Sequence, residues 1–310
     1  MVGYLGSRIL QGLIVILIIS IATFAMMRLM PGDPVMLLLG EGRLRISQQQ
    51  IDAIRSIWGL DRPYTEQYFV WVKNLLSGNF GESIIRMGVP VRHMIFEALP
   101  VTAKLNFYAL VVSLALAIPA GIVAAVKRNS LFDYLLTAIC TAGAAIPNFW
   151  LGLVSIIFFA QVLGWLPAMG LTSWKGWILP VAILSLEQLA VIARVMRGAT
   201  IETLAEDYVR TATAKGLGRT AVITRHAVRN ALLPVVTVVG FRIAFLLSGT
   251  VIIENIFSLP GIGRLFVDSV MRLDYQVVQS IVVLFAVLVV VSNILTDLAY
   301  AFVNPRIRVR

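Results

Sequence analysis

The sequence predicts an all-α integral membrane protein with six transmembrane helices. Of its 310 residues, 59% are hydrophobic and 14% are charged, and the mean hydropathy is +0.88. Soluble domains carry about 25% charged residues. Apolar runs of about 20 residues are long enough to cross the hydrocarbon core of a bilayer. Such runs occur at residues 9–30, 102–126, 134–163, 178–197, 233–256 and 277–303. We therefore expect a single transmembrane domain over residues 1–310.

The placement of the basic residues predicts the side of the membrane on which each loop lies. An even number of spans puts both termini on one side. The basic residues on that side are Arg8, Lys127, Arg128, Arg197, Arg210, Lys215, Arg219, Arg225, Arg229, Arg306, Arg308 and Arg310. The short loops opposite hold only Lys175, Arg264 and Arg272. Because cytoplasmic loops are enriched in Lys and Arg, both termini and the tail 304–310 are expected in the cytoplasm. The net charge of +10 then reflects topology, and nucleic-acid binding is not expected.

The segment 31–101 is expected outside the cytoplasm, with two short amphipathic helices. In SQQQIDAIRSIWG (47–59), Ser47 and Gln50 have the spacing of a capping box, and Gly59 ends the pattern. A second helix is predicted from Thr65 to Leu76, closed by Gly78. These helices would lie along the membrane surface, cover the outer mouth of a pathway, or simply pack against the external loops.

A basic stretch interrupts the apolar core 102–303. Residues 200–214 predict a helix that ends at Gly216 and Gly218, and a second helix is predicted from Thr220 to Ala231. Pro234 is then expected in the first turn of the fifth span, where proline is tolerated. An anionic lipid surface would attract such a loop. However, a lipid-binding loop needs no defined angle between its helices, and the two glycines therefore favour a protein partner.

This stretch resembles the cytoplasmic coupling loop, or EAA loop, of inner-membrane permeases from binding-protein-dependent ABC importers. Ala212 and Gly216 match its alanine and glycine, and Leu233 and Pro234 match its closing pair. Arg210 stands where the general motif has Glu, which is typical of the peptide/nickel branch, as is the long interval from Gly216 to Pro234. Further blocks that resemble this branch are MPGDP (30–34), GLDRP (59–63), GNFGES (78–83), IPNFWLGL (146–153), VIIENIFSLPGIGRLFVDSV (251–270), LDYQVVQS (273–280) and NPRIR (304–308).

The resemblance implies a type I ABC importer permease fold in the bacterial inner membrane. The chain would be the first permease of a pair and form half of a pathway for dipeptides or short oligopeptides. Nickel chelates, glutathione and opines are alternative cargoes. The implied partners are a second homologous permease, two ABC ATPase subunits, a periplasmic or lipid-anchored peptide-binding protein, and membrane lipid.

The resemblance also implies that the loop 200–231, with Pro234, contacts an ATPase subunit. We call the residues concerned the coupling surface. They are Asp207, Tyr208, Arg210, Ala212, Ala214, Lys215, Gly216, Leu217, Arg225, Arg229, Asn230 and Pro234.

The chemistry of the residues argues against an enzyme. The sequence contains no G-x-x-x-x-G-K-[ST], and KGLGRT (215–220) lacks both the spacing and the Gly-Lys-Ser/Thr end of that motif. ATP and Mg are therefore expected on partner ATPases, and no cofactor on this chain. His93 and His226 are predicted on opposite sides of the membrane, and Cys140 has no disulfide partner. No catalytic or metal-binding set is expected.

Three charged residues are predicted near the middle of the membrane. At a rise of about 1.5 Å per residue, Glu187 lies about 15 Å, Arg242 about 14 Å and Asp297 about 12 Å from the cytoplasmic ends of their spans. Intramembrane charges usually pair with one another, so Glu187 and Arg242 would join two spans. Alternatively, they would line the pathway and complement the charged ends of a peptide.

The end of the fifth span is a candidate outer gate or contact for the binding protein. Glu254 lies about 32 Å along that helix from Leu233, near the outer surface. Pro260 and Gly261 follow in a predicted turn. A secondary transporter is the alternative from another class, and it often shows an internal repeat or broken helices. No internal repeat is evident here, although Pro147 and Pro180 interrupt spans.

Overall fold

The computed structural model describes the backbone of residues 2–29, 48–57 and 59–303. Side chains are described for these residues except 2–5, 48, 50, 54, 57, 241–249 and 297–303. The described chain is helical, apart from turns and one isolated β-bridge between Glu82 and Pro90. The α-helices are α1 (Val2–Leu29), α2 (Gln48–Ile57), α3 (Tyr64–Leu76), α4 (Val91–Val126), α5 (Leu131–Ala145), α6 (Asn148–Ser155), α7 (Ile178–Leu204), α8 (Asp207–Ala214), α9 (Val228–Ile256), α10 (Ile262–Met271) and α11 (Tyr275–Val303).

Short helical segments extend three of these helices. A π-helical segment, Ile156–Val162, continues α6, and a 3₁₀ turn, Trp174–Trp177, precedes α7. A short helical turn, Arg219–Ala221, and a π-helical segment, Val222–Ala227, lead into α9.

Five helical segments within the described residues are long and apolar enough to cross a membrane. They are Gly6–Leu29, Val91–Val126, Trp174–Leu204, Arg219–Gly240 and Tyr275–Thr296. A sixth span is obtained if the bent pair Leu131–Ala145 and Asn148–Val162 is counted as one.

The predicted third span, 134–163, is not one straight helix, because its two arms meet at 99°. Ile146 has an extended backbone (φ −84°, ψ 126°), and Pro147 caps the second arm. A residue before proline is driven out of the helical region, and proline itself has no N–H to donate. The IPN sequence therefore places the bend.

The two external helices form close to their predicted positions. The first is α2, and the second, α3, starts one residue earlier than predicted. Gly59 (φ +65°) and Gly78 (φ +78°) follow their ends in the left-handed conformation that favours glycine. The predicted capping role of Ser47 lies outside the described residues.

The basic stretch is divided differently from the prediction. The fourth-span helix α7 continues to Leu204, and Glu206 is extended (φ −69°, ψ 147°), so the predicted helix 200–214 is two helices. The predicted helix 220–231 is continuous with the fifth span, and Pro234 lies inside α9 rather than in its first turn. Membrane helices tolerate such a proline because neighbouring groups and local π turns satisfy the freed backbone groups.

The described contacts divide the chain into two compact units. The first comprises Met1–Val101 and Pro260–Val291. The start of α4 packs there against α10 and α11 through buried Val91, Ile95, Ile262, Val277 and Ile281. The carboxylate of Asp274 accepts hydrogen bonds from the Ser83 hydroxyl and from the Ile84 backbone N–H (3.2 Å).

The second unit comprises Thr102–Leu259 and Ser292–Arg310. In this unit α7 packs against α5 and α9 around small buried side chains that include Ala190, Ala193 and Cys140. Gly121 of α4 allows a close approach to α7: a Cβ there would lie 2.8 Å from the Ala193 carbonyl oxygen and 2.9 Å from Met196 Cβ. Small residues at such crossings are typical of membrane helices.

Candidate functional site

Helix α8 carries the first part of the coupling surface and is anchored by an apolar cluster. Val209 and Ala212 are buried with Val222, and Leu204 packs against them. Beyond α8, the N–H of Gly216 donates to the Thr213 carbonyl (3.0 Å), and that of Leu217 donates to the Ala212 carbonyl (3.4 Å). The backbone of α8 is therefore capped as it turns away.

Gly216 makes this turn possible through its backbone rather than through its size. Its φ is +82°, which L-residues other than glycine rarely adopt, whereas a Cβ built on it would meet no atom within 4 Å. Gly218 is extended (φ −60°, ψ 146°) and precedes the helical turn Arg219–Ala221. Of the two predicted glycine breaks, only Gly216 has a positive φ.

Most of the coupling surface is exposed in the isolated chain. The exposed members are Asp207, Tyr208, Arg210, Ala214, Lys215, Gly216, Leu217, Arg225, Arg229, Asn230 and Pro234. Ala212 is buried (6% exposed) and contributes to packing beneath the surface. Beside α8 lies a mostly apolar groove of about 370 Å³, lined by Val126, Leu204, Val209, Thr213, Leu217, Arg219, Val222 and Ile223.

A side-chain hydrogen bond joins α8 to the start of α9. The Asn230 amide nitrogen donates to the Tyr208 hydroxyl over 2.7 Å. The pair Arg210–Asp207 (3.4 Å) is highly exposed, and such surface pairs contribute little stability. The Tyr208–Asn230 bond therefore connects α8 to the start of α9.

An ion pair near the coupling surface was not identified from the sequence. Arg197 of α7 binds Asp133 of α5 with two nitrogens: Nε donates to Oδ1, and Nη2 donates to Oδ2 over 2.7 Å. The Asn129 N–H also donates to Asp133 Oδ2 (3.0 Å), and the Asp133 N–H donates to the hydroxyl of Ser130 (3.4 Å). The Ser-x-x-Asp spacing of residues 130–133 was the available signal, since it resembles a capping box.

The structure gives Glu187 a polar neighbour at the bend in the third span. Asn148, the first residue of α6, donates its amide N–H to Glu187 Oε2 over 2.7 Å. The side chains of Arg242 and Asp297 lie outside the described residues. The pairing of Glu187 with Arg242, and their alternative place in the pathway, both stay predictions.

The candidate outer gate is divided between the two units. Glu254, in the second unit, is fully buried (0% exposed) and accepts a hydrogen bond from the Thr102 hydroxyl (2.7 Å). Its carboxylate therefore does not face solvent, although Glu254 was predicted near the outer surface. Pro260 and Gly261 belong to the first unit, where Pro260 is exposed and Gly261 is the buried N-cap of α10.

Comparison with known proteins relates nearly the whole chain to one family of transport proteins. Residues 117–309 match the family described as binding-protein-dependent transport system inner membrane component, and residues 1–106 match its N-terminal counterpart. An oligopeptide transport system permease protein of Bacillus subtilis is 38% identical over 99% of both chains. A di/tripeptide transport system permease protein of Pseudomonas aeruginosa is 41% identical over 94% of both. A glutathione transport system permease protein of Escherichia coli is 38% identical over 99% of both.

A solved structure shows the same fold. It is described as an amino acid ABC transporter with histidines and superposes with a TM-score of 0.53 at 15% identity. The match covers 68% of this chain and 94% of the other. The predicted family, the all-α membrane fold and the inner-membrane location are thereby confirmed. This chain belongs to the family of inner membrane components of binding-protein-dependent transport systems.

Proposed function

We propose that this chain forms half of the translocation pathway of an ATP-driven importer of dipeptides or short oligopeptides. Full-length similarity to the oligopeptide permease of B. subtilis and the di/tripeptide permease of P. aeruginosa supports this cargo. Glutathione is the second candidate, because the E. coli glutathione permease is similar over the same length.

The coupling surface is the observation that carries the proposal. Helix α8 is short and mostly exposed, and Lys215 and Gly216 follow it, the latter with a positive φ (82°). Only Ala205 and Glu206 separate it from α7, a helix of 27 residues. A displacement of α8 by a bound partner would therefore pass directly into α7.

We place ATP and Mg²⁺ on two partner ABC ATPases rather than on this chain. The absence of a P-loop from the sequence supports this assignment. A second permease would complete the pathway, and a periplasmic or lipid-anchored protein would deliver the peptide. ATP drives the cycle only if it favours one conformation over the other, since equal affinity for both states shifts nothing.

Replacement of Gly216 tests the coupling surface. Gly216→Val should lose the ATPase subunits when the complex is purified in mild detergent, because a β-branched residue strains the positive φ. Gly216→Asn should retain most of them, since asparagine tolerates that conformation. Mass spectrometry of the purified complex measures both.

Gly88→Val is the matched control for backbone strain. Gly88 has a similar φ (+76°), and a Cβ there would meet no atom within 4 Å, but it lies in the external segment. The complex that carries Gly88→Val should therefore retain its ATPase subunits. Equal loss of ATPases from Gly88→Val and Gly216→Val, or retention by both, would contradict a specific coupling role.

Competition for uptake tests the cargo. Proteoliposomes with the complete complex should take up a labelled dipeptide, and unlabelled di- and tripeptides should compete with it. If glutathione competed and plain peptides did not, the glutathione alternative would replace the peptide assignment. The coupling experiment does not depend on this outcome.

A further inference from the structure

A cavity in the first unit combines positive charge with buried N–H groups that have no partner in the described part of the chain. Its volume is about 260 Å³, and it lies between the end of α1, helices α2 and α3, the turn after α3, and the start of α11. Arg28, Trp71 and Gln279 are among the residues that line it. It is separate from the coupling surface and from the charges at Glu187 and Arg242.

Three side-chain nitrogens at this cavity have no hydrogen-bond partner among the described residues. They are Arg28 Nη1, Trp71 Nε1 and Gln279 Nε2, and all three are shielded from solvent. Trp71 is 7% exposed and Gln279 is 1% exposed. Buried donors are nearly always paired in folded proteins, because leaving one unpaired costs free energy. All three residues line this one cavity, so an acceptor bound there is a candidate partner for donors that the described residues leave unpaired.

The guanidinium of Arg28 is held in place at this cavity. Its Nε donates to Gln67 Oε1 over 2.9 Å, and the Gln67 amide nitrogen in turn donates to the Arg62 carbonyl over 2.7 Å. The rings of Phe24 and Tyr275 lie 5.0 and 5.1 Å from the guanidinium carbon. These contacts orient Arg28 without neutralising its charge.

The described residues that line the cavity include two arginines and no carboxylate. Arg62, the second arginine, pairs with Glu66 over 2.9 Å on the exposed side of α3. Among the described lining residues, the charge of Arg28 therefore has no acidic counterpart. A ligand that complements both the charge and the N–H donors must be an anion with several acceptor oxygens.

We propose that this cavity binds a phosphate-type oxyanion, carried by the headgroup of a phospholipid. Arg28 lies at the end of the first membrane helix, in the outer leaflet on the predicted orientation. Next to it Leu29 is 81% exposed, and on α3 Phe69 is 69% exposed. These apolar side chains would contact acyl chains while the phosphate binds Arg28, Trp71 and Gln279.

Lipid add-back to the delipidated, purified complex tests the site. Phosphatidylglycerol should raise the thermal midpoint, and diacylglycerol, which lacks the phosphate, should not. Arg28→Met and Gln279→Leu should weaken the response to phosphatidylglycerol by about tenfold or more, since each removes a charged or buried hydrogen bond. Trp71→Phe keeps the ring, removes only the N–H donor, and should also weaken it.

Ser280→Ala is the matched control. Ser280 is fully buried and its hydroxyl also lacks a described partner, but it does not line the cavity. This variant should respond to phosphatidylglycerol like the unmodified protein. A response to inorganic phosphate with the same dependence on Arg28 and Gln279 would support the oxyanion site with a free ion as its source. The proposal is overturned if Gln279→Leu and Trp71→Phe raise the midpoint without lipid and respond to phosphatidylglycerol unchanged.

Discussion

The ion pair between Asp133 and Arg197 shows how a single contact can support the coupling surface. Asp133 has a 3% exposed side chain, and its two carboxylate oxygens accept from Arg197 and from the Asn129 backbone. Arg197 lies seven residues before the end of α7, which is about two helical turns. The pair thus joins the start of α5 to the part of α7 that leads to α8.

Removing this carboxylate should destabilise the protein. Asp133→Asn leaves Arg197 with an uncompensated charge, and because that side chain is 29% exposed, we expect a loss of about 1–3 kcal/mol rather than the full cost of a buried pair. The loss of stability is measured by unfolding the purified complex in detergent. Arg128→Gln, at an exposed neighbour, should change the stability by about 0.5 kcal/mol at most. Equal losses from the two variants would contradict the assignment.

Glu187 and Arg242 allow a test of charge inside the membrane. Glu187→Gln retains an oxygen that can accept from Asn148, so its main effect is loss of charge. If the two charges pair, Glu187→Gln and Arg242→Gln should each reduce the yield of assembled complex. The measurement is the yield of complex together with the range of peptides taken up. Normal assembly with an altered peptide range would instead place both residues in the pathway.

At the scale of whole elements, the approach of α4 to α7 depends on Gly121. Gly121→Ala should destabilise by about 1–3 kcal/mol, because its Cβ would clash with backbone and Cβ atoms of α7 that cannot rotate away. A Cβ added at Gly198, within α7, would meet no atom within 4 Å. Gly198→Ala should therefore be neutral or stabilising by up to about 1 kcal/mol, from helix propensity. Thermal unfolding of both variants in the same detergent measures the two changes in stability. If Gly121→Ala left the stability unchanged, α4 and α7 could move apart at little cost in free energy.

The same elements show which features the sequence could predict. Length and hydropathy located the apolar helices, and the glycine signals located the ends of α2, α3 and α8. Pro147 was recognised as an interruption of the third span, but its bend was not predicted, because hydropathy alone does not distinguish a bent run from a straight one. The end of α7 at Leu204 was missed because residues 200–214 have no proline or glycine before Gly216.

Features that depend on tertiary contacts could not be predicted in this way. Glu254 is fully buried and accepts a hydrogen bond from Thr102, which lies 152 positions away in the sequence. Asp133 and Arg197 are 64 positions apart, and the cavity at Arg28 is formed by five separate segments. Periodicity within one helix carries no information about such pairings.

At the scale of the whole molecule, the bent pair α5 and α6 raises the question of which energy source drives transport. Interrupted helices are common in secondary transporters, which were the alternative from the sequence. The proposed function uses ATP instead, and the sequence contains no P-loop. The free energy of ATP would therefore have to enter through the coupling surface.

We expect peptide uptake by proteoliposomes that contain the complete complex to depend on ATP hydrolysis and not on the proton gradient. A protonophore should leave the initial rate within about twofold, whereas a non-hydrolysable ATP analogue should abolish net accumulation, because binding without hydrolysis cannot reset the cycle. Gly216→Val should abolish accumulation under both conditions, while Gly88→Val serves as the control for strain. Collapse of uptake with the protonophore at constant ATP would show that α5 and α6 belong to a proton-coupled cycle, and α8 would then lose its assigned role.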